Sequence, residues 1–342
     1  MKPFEFWHPR LAEAPYYAAL LLRCAASGLA PKDLAKANYG LDHGELGLGS
    51  KYQTQLVFDE KYFPTTQMID FDEHARIHDT ISTFADQYGP DLILKPDIGS
   101  VGKGILRLDG RRAMHDQLPP LSGRYLLQTF CPEPLEYGVF YVRQLGISRI
   151  TGINRKHFPT VVGDGRTPIG ELARQHPRYT DHWRIFMRYT DQERVAEQGE
   201  IVSLSFIGSH TMGCMFTDDS DLISPRLTES FDTVCKDQPG FNFGRFDVRT
   251  QSNQHLQRGE FTIIEVNGIA SLPTHMFDPE LSIADAYRIF LMHAKLLVDI
   301  ANEHRGQDMA LDSYAELWRR AKSNHAMLNH LHRQAMQSAD QE

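Results

Sequence analysis

The chain has 342 residues, of which 41% are hydrophobic and 23% are charged, a composition typical of a folded protein with one large core or two linked cores. Its net charge of -8 excludes a general positive surface for holding nucleic acid, so phosphate binding would need a local cluster of basic residues.

The cysteines and the apolar segments indicate where the protein works. The four cysteines are too widely spaced for a C-x-x-C metal pair or a dense disulfide framework, which indicates a reducing compartment. The most apolar early stretch, residues 16–22, is much shorter than the roughly 20 residues that a membrane span needs. We therefore expect a soluble, cytoplasmic protein.

The predicted elements mix helices and strands along the chain. A helix is predicted over residues 12–27, and four glycines within residues 37–50 indicate a loop and a domain boundary near Gly49. Apolar residues at helical spacing predict helices over residues 72–88 and 281–301, and a polar helical tail follows. Strands are predicted over residues 91–96, 125–130, 137–144, 201–207, 244–248 and 261–266.

Polar residues lie near the ends of the last two predicted strands. Glu265 and Asn267 are two residues apart and so face the same side, where Asp247 could join them as a third oxygen ligand. Magnesium prefers such hard oxygen donors. These carboxylates could equally be sheet-edge charges paired with Arg245 and Arg249. Arg245 shares a face with Asp247, and a cation beside a metal could neutralise a transferring phosphoryl group, which favours the metal site.

Three further residues are candidates for substrate contacts. Gly268 and Ser271 belong to the run of small residues after Asn267, which would give a second substrate close access to a metal-bound phosphate. His210 lies in a polar interruption of an apolar segment, where it could contact a substrate carboxylate or serve as a hydrogen-bonded structural histidine.

A glycine loop follows Lys95, which ends the strand predicted over residues 91–96. The loop contains Ser100 and Gly102, and such a loop can turn backbone N–H groups toward phosphate oxygens. It does not match a Walker A sequence, and a surface hairpin turn has a similar composition. Glu136 could accept hydrogen bonds from ribose hydroxyls or be a surface carboxylate.

These motifs, in this order, resemble those of ATP-grasp enzymes, specifically the branch that contains D-alanine–D-alanine ligases and the ligase half of cyanophycin synthetases. Lys51, after Ser50, resembles the lysine that begins the family's grasp region. Lys95 resembles its nucleotide-binding lysine, and the loop with Ser100 and Gly102 resembles its flexible loop over the phosphates.

The middle of the chain resembles the family's nucleotide contacts. Gln128, Phe130 and Cys131 match the segment that holds the adenine base, in which the family more often has Glu in place of Gln128. Glu136 resembles the ribose-binding carboxylate. Lys156 lies where a second phosphate-contacting lysine is expected.

The later motifs resemble the cyanophycin-synthetase segment and the family's catalytic centre. Residues 161–172 closely resemble a segment of the cyanophycin-synthetase branch. Arg245 resembles the catalytic arginine. The three residues that resemble the family's magnesium ligands are Asp247, Glu265 and Asn267.

The resemblance implies an α+β ATP-grasp fold in which two α+β subdomains clamp the nucleotide. These would be residues 51–134, with the glycine loop, and residues 135–308, with the metal site, followed by a helical tail over residues 309–342. By the same resemblance, residues 1–50 would form a short N-terminal segment in place of a full pre-ATP-grasp domain. The stretch Pro273-Thr274-His275 also departs from the Pro-Gly turn usual in dipeptide ligases.

The resemblance further implies an enzyme that uses ATP and Mg²⁺ to join a carboxylate to an amine through an acyl phosphate, releasing ADP and phosphate. The alternatives are an ATP-grasp kinase that phosphorylates a small molecule and a nucleotide-binding module without catalysis. The expected partners are small-molecule or peptide carboxylates and amines, with no nucleic acid, no membrane span and a possible homodimer.

Overall fold

The computed structural model describes residues 4–73, 76–109, 118, 121–179, 186 and 190–337. Within these ranges the helices are α1 (Pro9–Ser27), α2 (Lys51–Leu56), α3 (Ile77–Tyr88), α4 (Ile169–Gln175), α5 (Pro225–Val234), α6 (Asn253–Gln257), α7 (Ile283–Glu303) and α8 (Tyr314–Gln337). The strands are β1 (Thr66–Asp70), β2 (Asp91–Pro96), β3 (Leu106–Asp109), β4 (Arg124–Thr129), β5 (Leu135–Gln144), β6 (Ile147–His157), β7 (Thr160–Val162), β8 (Ile201–Ser203), β9 (Met215–Asp218), β10 (Phe243–Thr250) and β11 (Thr262–Asn267). Short 3-10 helices cover Phe4–Phe6, Pro31–Asn38, Asp42–Glu45, Glu60–Tyr62, His210–Met212, Ser220–Leu222 and Thr274–Phe277.

The chain is 41% helical and 22% strand, which confirms the predicted α+β class. The strands form a four-stranded sheet in the order β1-β4-β2-β3, a five-stranded sheet in the order β11-β10-β5-β6-β9 and a two-stranded sheet of β7 and β8. In the part of the chain that the structure describes, none of the helices combines the length and the apolar composition needed to span a membrane.

The predicted elements are present, with three differences. Helix α3 begins at Ile77, whereas the sequence predicts a helix from residue 72. Strand β8 ends at Ser203, whereas the sequence predicts a strand to residue 207, because the Ser205 hydroxyl accepts a hydrogen bond from the N–H of Ile207 and turns the chain. The predicted loop over residues 37–50 contains the 3-10 helix Asp42–Glu45, in which His43 and Gly44 take left-handed conformations.

The contacts within the chain define two compact units. The first consists of Met1–Met68, Gln128–Arg155 and Phe216–Ser323, and the second of Ile69–Leu127, Lys156–Met215 and Asn324–Glu342. Each unit contains two clusters of buried apolar side chains.

One core of the first unit lies between helices α1 and α7. Buried residues recur every four positions along α1, from Ala12 through Tyr16 and Leu20 to Cys24, and so form one apolar stripe. The facing stripe on α7 includes Phe290, and both stripes belong to one cluster of buried side chains. Helix α1 ends at Gly28, whose left-handed conformation (φ 64°) suits a glycine cap.

Strand β10 presents different side chains on its two faces. Phe246 and Val248 are fully buried in the second core of the first unit. The residues that alternate with them, Arg245, Asp247 and Arg249, therefore point to the opposite face, because successive side chains of a strand alternate. The sequence pattern of β10 thus places three charged groups in a row on one side of the sheet.

The cores of the second unit lie on the four-stranded sheet and around α4. Leu92 and Leu94 of β2 pack with Ile81 and Phe84 of α3 in the first of these cores. The loop after β2 turns through left-handed backbone at Val101, Gly102 and Gly104.

Candidate active site

A polar patch forms where β10 pairs with β11. The antiparallel register places Arg245 opposite Asn267 and Asp247 opposite Glu265, and a bulge follows these pairs. Directly opposed residues in an antiparallel pair lie on the same face of the sheet, so these four side chains are neighbours. The sequence predicted that Glu265 and Asn267 share a face, and the register adds the other two residues to it.

Arg245 is held by two neighbours within this patch. Its Nε lies 2.8 Å from Asp247 Oδ1 and its second terminal nitrogen 3.2 Å from Oδ2, while the first donates to the carbonyl of Leu272 at 3.2 Å. Burial opposes the charge on Arg245, but the charge and hydrogen bonds of Asp247, with further negative charge from Glu265, outweigh it and raise the pKa of the guanidinium. The arginine is therefore a fixed, permanent cation.

Lys51, which resembles the lysine that begins the family's grasp region, also lies at the patch. Lys51 is the first residue of α2, which Ser50 caps by accepting a hydrogen bond from the N–H of Gln53. Its Nζ lies 3.3 Å from Oε1 of Glu265. The structure thus brings Lys51 next to a predicted metal ligand.

Glu45 is a member of the site that the sequence patterns did not reveal. One of its carboxylate oxygens accepts a hydrogen bond from the hydroxyl of Thr54, and the other accepts from the backbone N–H of Gly268 at 2.6 Å. Burial raises the pKa of Glu45, and Glu265 adds to the effect, against these hydrogen bonds and the charge of Lys51. The backbone of Glu45 is left-handed, with a φ of 55°, a conformation that is uncommon for a residue other than glycine.

Gly268 and Ser271, the predicted substrate contacts after Asn267, form a tight turn. The Ser271 hydroxyl and the Ser271 N–H both donate to the carbonyl of Gly268, at 2.7 and 3.0 Å. A Cβ atom at Gly268 would lie 2.7 Å from Cβ of Glu45, so only glycine fits against this glutamate. The hydrogen bonds from Ser271 and the close contact with Glu45 therefore hold this turn in place.

The donor set fits a magnesium ion. Asp247 and Glu265 supply carboxylate oxygens and Asn267 an amide, while each carboxylate oxygen has more than one lone pair, so the contacts with Arg245 and Lys51 leave capacity for a metal. Asn267 lies close to Asp247, with its Nδ2 3.5 Å from Oδ2. Among the described residues, no group of three or more His, Cys, Asp and Glu side chains is arranged to hold a metal.

Glu136, the predicted ribose contact, is held in a buried ion pair. Its Oε2 lies 2.9 Å from Nε of Arg249, and the two side chains are only 3% and 9% exposed. Arg249 also donates to the carbonyl of Cys131 at 2.9 Å, and its guanidinium lies 5.4 Å from the ring centre of Phe130. Arg249 therefore ties together three of the predicted nucleotide contacts.

The other predicted adenine contacts are buried as well. Gln128 donates from its amide to the Thr66 hydroxyl at 2.7 Å and to the side-chain oxygen of Gln55 at 3.2 Å. Burial raises the pKa of Cys131 to about 12, and Glu133, which accepts from its thiol at 2.8 Å, adds to this shift. Cys131 is thus a neutral thiol at ordinary pH.

The remaining predicted contacts belong to the second unit. Lys95, at the end of β2, and Lys156, near the end of β6, are 7% and 6% exposed, which is unusual burial for lysine. Ser100 accepts a backbone hydrogen bond from Lys103, and a Cβ atom at Gly102 would lie 2.3 Å from the Ile207 side chain.

His210, the predicted contact with a substrate carboxylate, also lies in the second unit. It begins the short 3-10 helix His210–Met212.

Comparison with known proteins gives similarities of structure. No family model matches the sequence, and no curated protein sequence matches it either. The structure resembles a bifunctional glutathione synthetase from Pasteurella multocida, with 13% identity, a TM-score of 0.40, and coverage of 75% of this chain and 38% of that one. It resembles a D-alanine–D-alanine ligase from Bacillus anthracis at 13% identity and a TM-score of 0.42, over 75% of this chain and 68% of that one.

A third similar structure is the ATP-grasp ligase PsnB complexed with a minimal precursor, at 10% identity and a TM-score of 0.39, over 75% of this chain and 63% of that one. This chain therefore spans well under half of the glutathione synthetase and less than two thirds of PsnB. The sequence motifs predict a resemblance to ATP-grasp enzymes, and the structures that this chain is similar to include an ATP-grasp ligase.

Proposed function

We propose that this chain is an ATP-grasp enzyme that activates a carboxylate with ATP and joins it to an amine, releasing ADP and phosphate. The observation that carries the proposal is the strand register, in which Arg245 lies opposite Asn267 and Asp247 lies opposite Glu265. The patch combines oxygen donors for a metal with a fixed cation, the two features that phosphoryl transfer needs.

Asp247, Glu265 and Asn267 would hold Mg²⁺, which supplies positive charge to the phosphates of bound ATP. Arg245 stays charged and fixed, because Asp247 and the Leu272 carbonyl accept from it. It stabilises the negative charge that spreads over the transferring group and the acyl phosphate. A guanidinium held in advance needs little reorganisation when that charge develops.

The motifs assign the remaining roles. Lys95, Lys156 and the loop with Ser100 and Gly102 contact the phosphates. The adenine and ribose contacts are Gln128, Phe130, Cys131 and Glu136. The buried ion pair with Arg249 holds the Glu136 carboxylate in one position, where it can accept hydrogen bonds from the ribose. Lys51 steadies Glu265 through their ion pair. Substrate contacts come from His210, Gly268 and Ser271.

A phosphate-release assay with Mg-ATP, across a panel of carboxylates crossed with amines, tests this function. We expect phosphate release that needs both a carboxylate and an amine, and its loss by on the order of a hundredfold in Asp247→Asn with Glu265→Gln. Glu260→Gln is the control, since Glu260 is half exposed and pairs with Arg258 at the surface. ADP formation with a stable phosphorylated product and no need for an amine would replace the ligase with a kinase.

A further inference from the structure

Asn154 of β6 is a buried amide outside the motifs. Its side chain is 1% exposed, and its Nδ2 has no hydrogen-bond acceptor among the residues that the structure describes. Buried side-chain donors nearly always have a partner, because an unmade hydrogen bond costs the desolvation of the donor. An asparagine in this state is accordingly a candidate for binding a ligand.

The orientation of this amide is set by a neighbouring segment. The hydroxyl of Thr274 donates to Oδ1 of Asn154. The next residue, His275, lies against Gly152, where a Cβ atom would fall 2.0 Å from the His275 ring. Residues 273–275 thus dock onto β6 at two alternate positions, Gly152 and Asn154. This is the same stretch that departs from the Pro-Gly turn of dipeptide ligases.

Asn154 lies beside the arginine of the polar patch. A Cβ atom at Gly138 of β5 would lie 2.3 Å from Oδ1 of Asn154 and 2.9 Å from Cδ of Arg245, so both side chains cover this glycine. Gly138 is in turn the register partner of Asp247. The amide group of Asn154 is therefore adjacent to Arg245, which is held in place by its hydrogen bonds to Asp247 and the Leu272 carbonyl.

We propose that Nδ2 of Asn154 donates a hydrogen bond to an oxyanion bound at Arg245, with Thr274 holding the amide in the orientation that presents its nitrogen. The oxyanion is either the terminal phosphoryl group of a nucleotide or the carboxylate that attacks it, and both offer anionic acceptor oxygens. This inference rests on the proposed function and adds a binding residue, with its positioning residue, that the motifs do not contain.

Two substitutions separate ligand binding from structural support. Asn154→Leu keeps a similar volume and removes the unsatisfied donor, which offsets the loss of the acceptor for Thr274, so the melting temperature of the ligand-free protein should change little. Asn154→Asp keeps the acceptor for Thr274 and replaces the donor with an anionic oxygen, so an oxyanion should bind roughly ten- to a hundredfold more weakly. A donor that served only the fold would give neither result.

Asn38→Leu is the matched control. Asn38 is also fully buried, but its amide donates to the Phe243 carbonyl at 2.8 Å and accepts from the N–H groups of Asn242 and Phe243. Because all these bonds are lost, this substitution should lower the melting temperature by several degrees.

Two measurements complete the test. Titration calorimetry gives the affinities for Mg-ADP and Mg-AMP-PNP. The phosphate-release assay gives the half-saturating concentration of the carboxylate identified in the panel. Weaker binding of Mg-AMP-PNP alone assigns the bond to the phosphoryl group, and a raised carboxylate requirement assigns it to the carboxylate. Unchanged values for all probes in Asn154→Asp would overturn the inference, as would destabilisation by Asn154→Leu as large as that by Asn38→Leu. A wild-type protein that binds no Mg-AMP-PNP would instead overturn the proposed function.

Discussion

The guanidinium of Arg245 makes contacts that another cation cannot reproduce. Its Nε and one terminal nitrogen reach the two oxygens of Asp247, while the other terminal nitrogen reaches the Leu272 carbonyl. Lysine offers a single ammonium on a flexible stem, so it can keep the charge but not this planar arrangement. A lysine at position 245 therefore tests whether the charge alone is enough or whether the geometry of the guanidinium is also needed.

Replacing Arg245 with lysine should lower kcat/KM by on the order of a hundredfold, because the cation is no longer fixed at the place where charge develops. The assay is phosphate release with the substrates identified in the panel. Arg258→Lys provides the comparison, since Arg258 pairs with Glu260 at the surface through the same kind of Nε contact, 2.8 Å long. A loss of less than threefold in Arg245→Lys would remove Arg245 from the proposed chemistry.

The buried pair of Glu136 and Arg249 predicts a large effect on stability. Glu136→Gln leaves the charge of Arg249 buried without its partner, and we expect a loss of about 3–5 kcal/mol in the free energy of unfolding. Glu260→Gln, which breaks an exposed pair of nearly equal length, should leave the free energy of unfolding almost unchanged. Urea denaturation at neutral pH measures both. Equal losses of unfolding free energy in the two variants would contradict the prediction that burial makes the Glu136–Arg249 pair costly to break.

Residue spacing revealed some members of the site and left others hidden. The pairing of Arg245 with Asp247 follows from two residues of one strand that share a face, so the sequence alone suggests it. Glu45 could not be found this way, because its partner Gly268 is 223 positions away and its own backbone is left-handed. Asn154 could not be predicted from spacing either, because its neighbours Gly138, Arg245 and Thr274 are distant from it in the sequence.

At the scale of elements, hydrophobic patterning predicts the strands whose two faces differ and the helices with an apolar stripe. Strands β5 and β10 and helices α1 and α7 are of this kind, and each is present. Strand β6 was missed because its polar residues Asn154 and Lys156 are buried, so apolar and polar side chains do not alternate along it. A strand whose buried face carries polar residues does not show the alternation of apolar and polar side chains by which strands are predicted.

The close approach of side chains over β5 makes Gly138 sensitive to substitution. In Gly138→Ala the added methyl group would meet Asn154 and Arg245 at 2.3 and 2.9 Å, so both side chains must move. We expect at least a tenfold loss of phosphate release, in line with the cost of small displacements of catalytic groups. Gly306→Ala adds the same methyl group where no atom lies within 4 Å, and should leave activity unchanged. Wild-type activity in Gly138→Ala would show that Arg245 needs no such fixed position.

The first unit as a whole is expected to lose stability in mild acid because it buries two histidines. His293 of α7 is fully buried and lies 2.8 Å from the Ile289 carbonyl through Nδ1 and 2.9 Å from the Thr151 hydroxyl through Nε2. His275 is 3% exposed and lies 5.6 Å from it, centre to centre. Burial lowers the pKa of His275 to about 4 and that of His293 to about 3, with the charge of His275 adding to the second shift.

These shifts fix the direction of the pH dependence. Both histidines are neutral in the folded protein above about pH 4, whereas in the unfolded chain they take up protons below about pH 6.5. The unfolded state therefore binds more protons between these values, and the stability present above about pH 6.5 is lost as the pH falls toward 4. Each histidine contributes a slope of up to about 1.4 kcal/mol per pH unit.

Replacing His275 with glutamine removes one of the two titrating groups and should make the fall in unfolding free energy between pH 6.5 and 5 shallower, by up to about 1.4 kcal/mol per pH unit. Urea denaturation at closely spaced pH values measures this slope in wild type and variant, and carboxylates that titrate at lower pH affect both proteins alike. The control is His325→Gln in α8, where the histidine is exposed and the slope should be that of wild type. Parallel slopes for His275→Gln and wild type would mean that His275 takes up its proton without unfolding the first unit, and the burial that lowers its pKa would then have no consequence for the stability of the molecule.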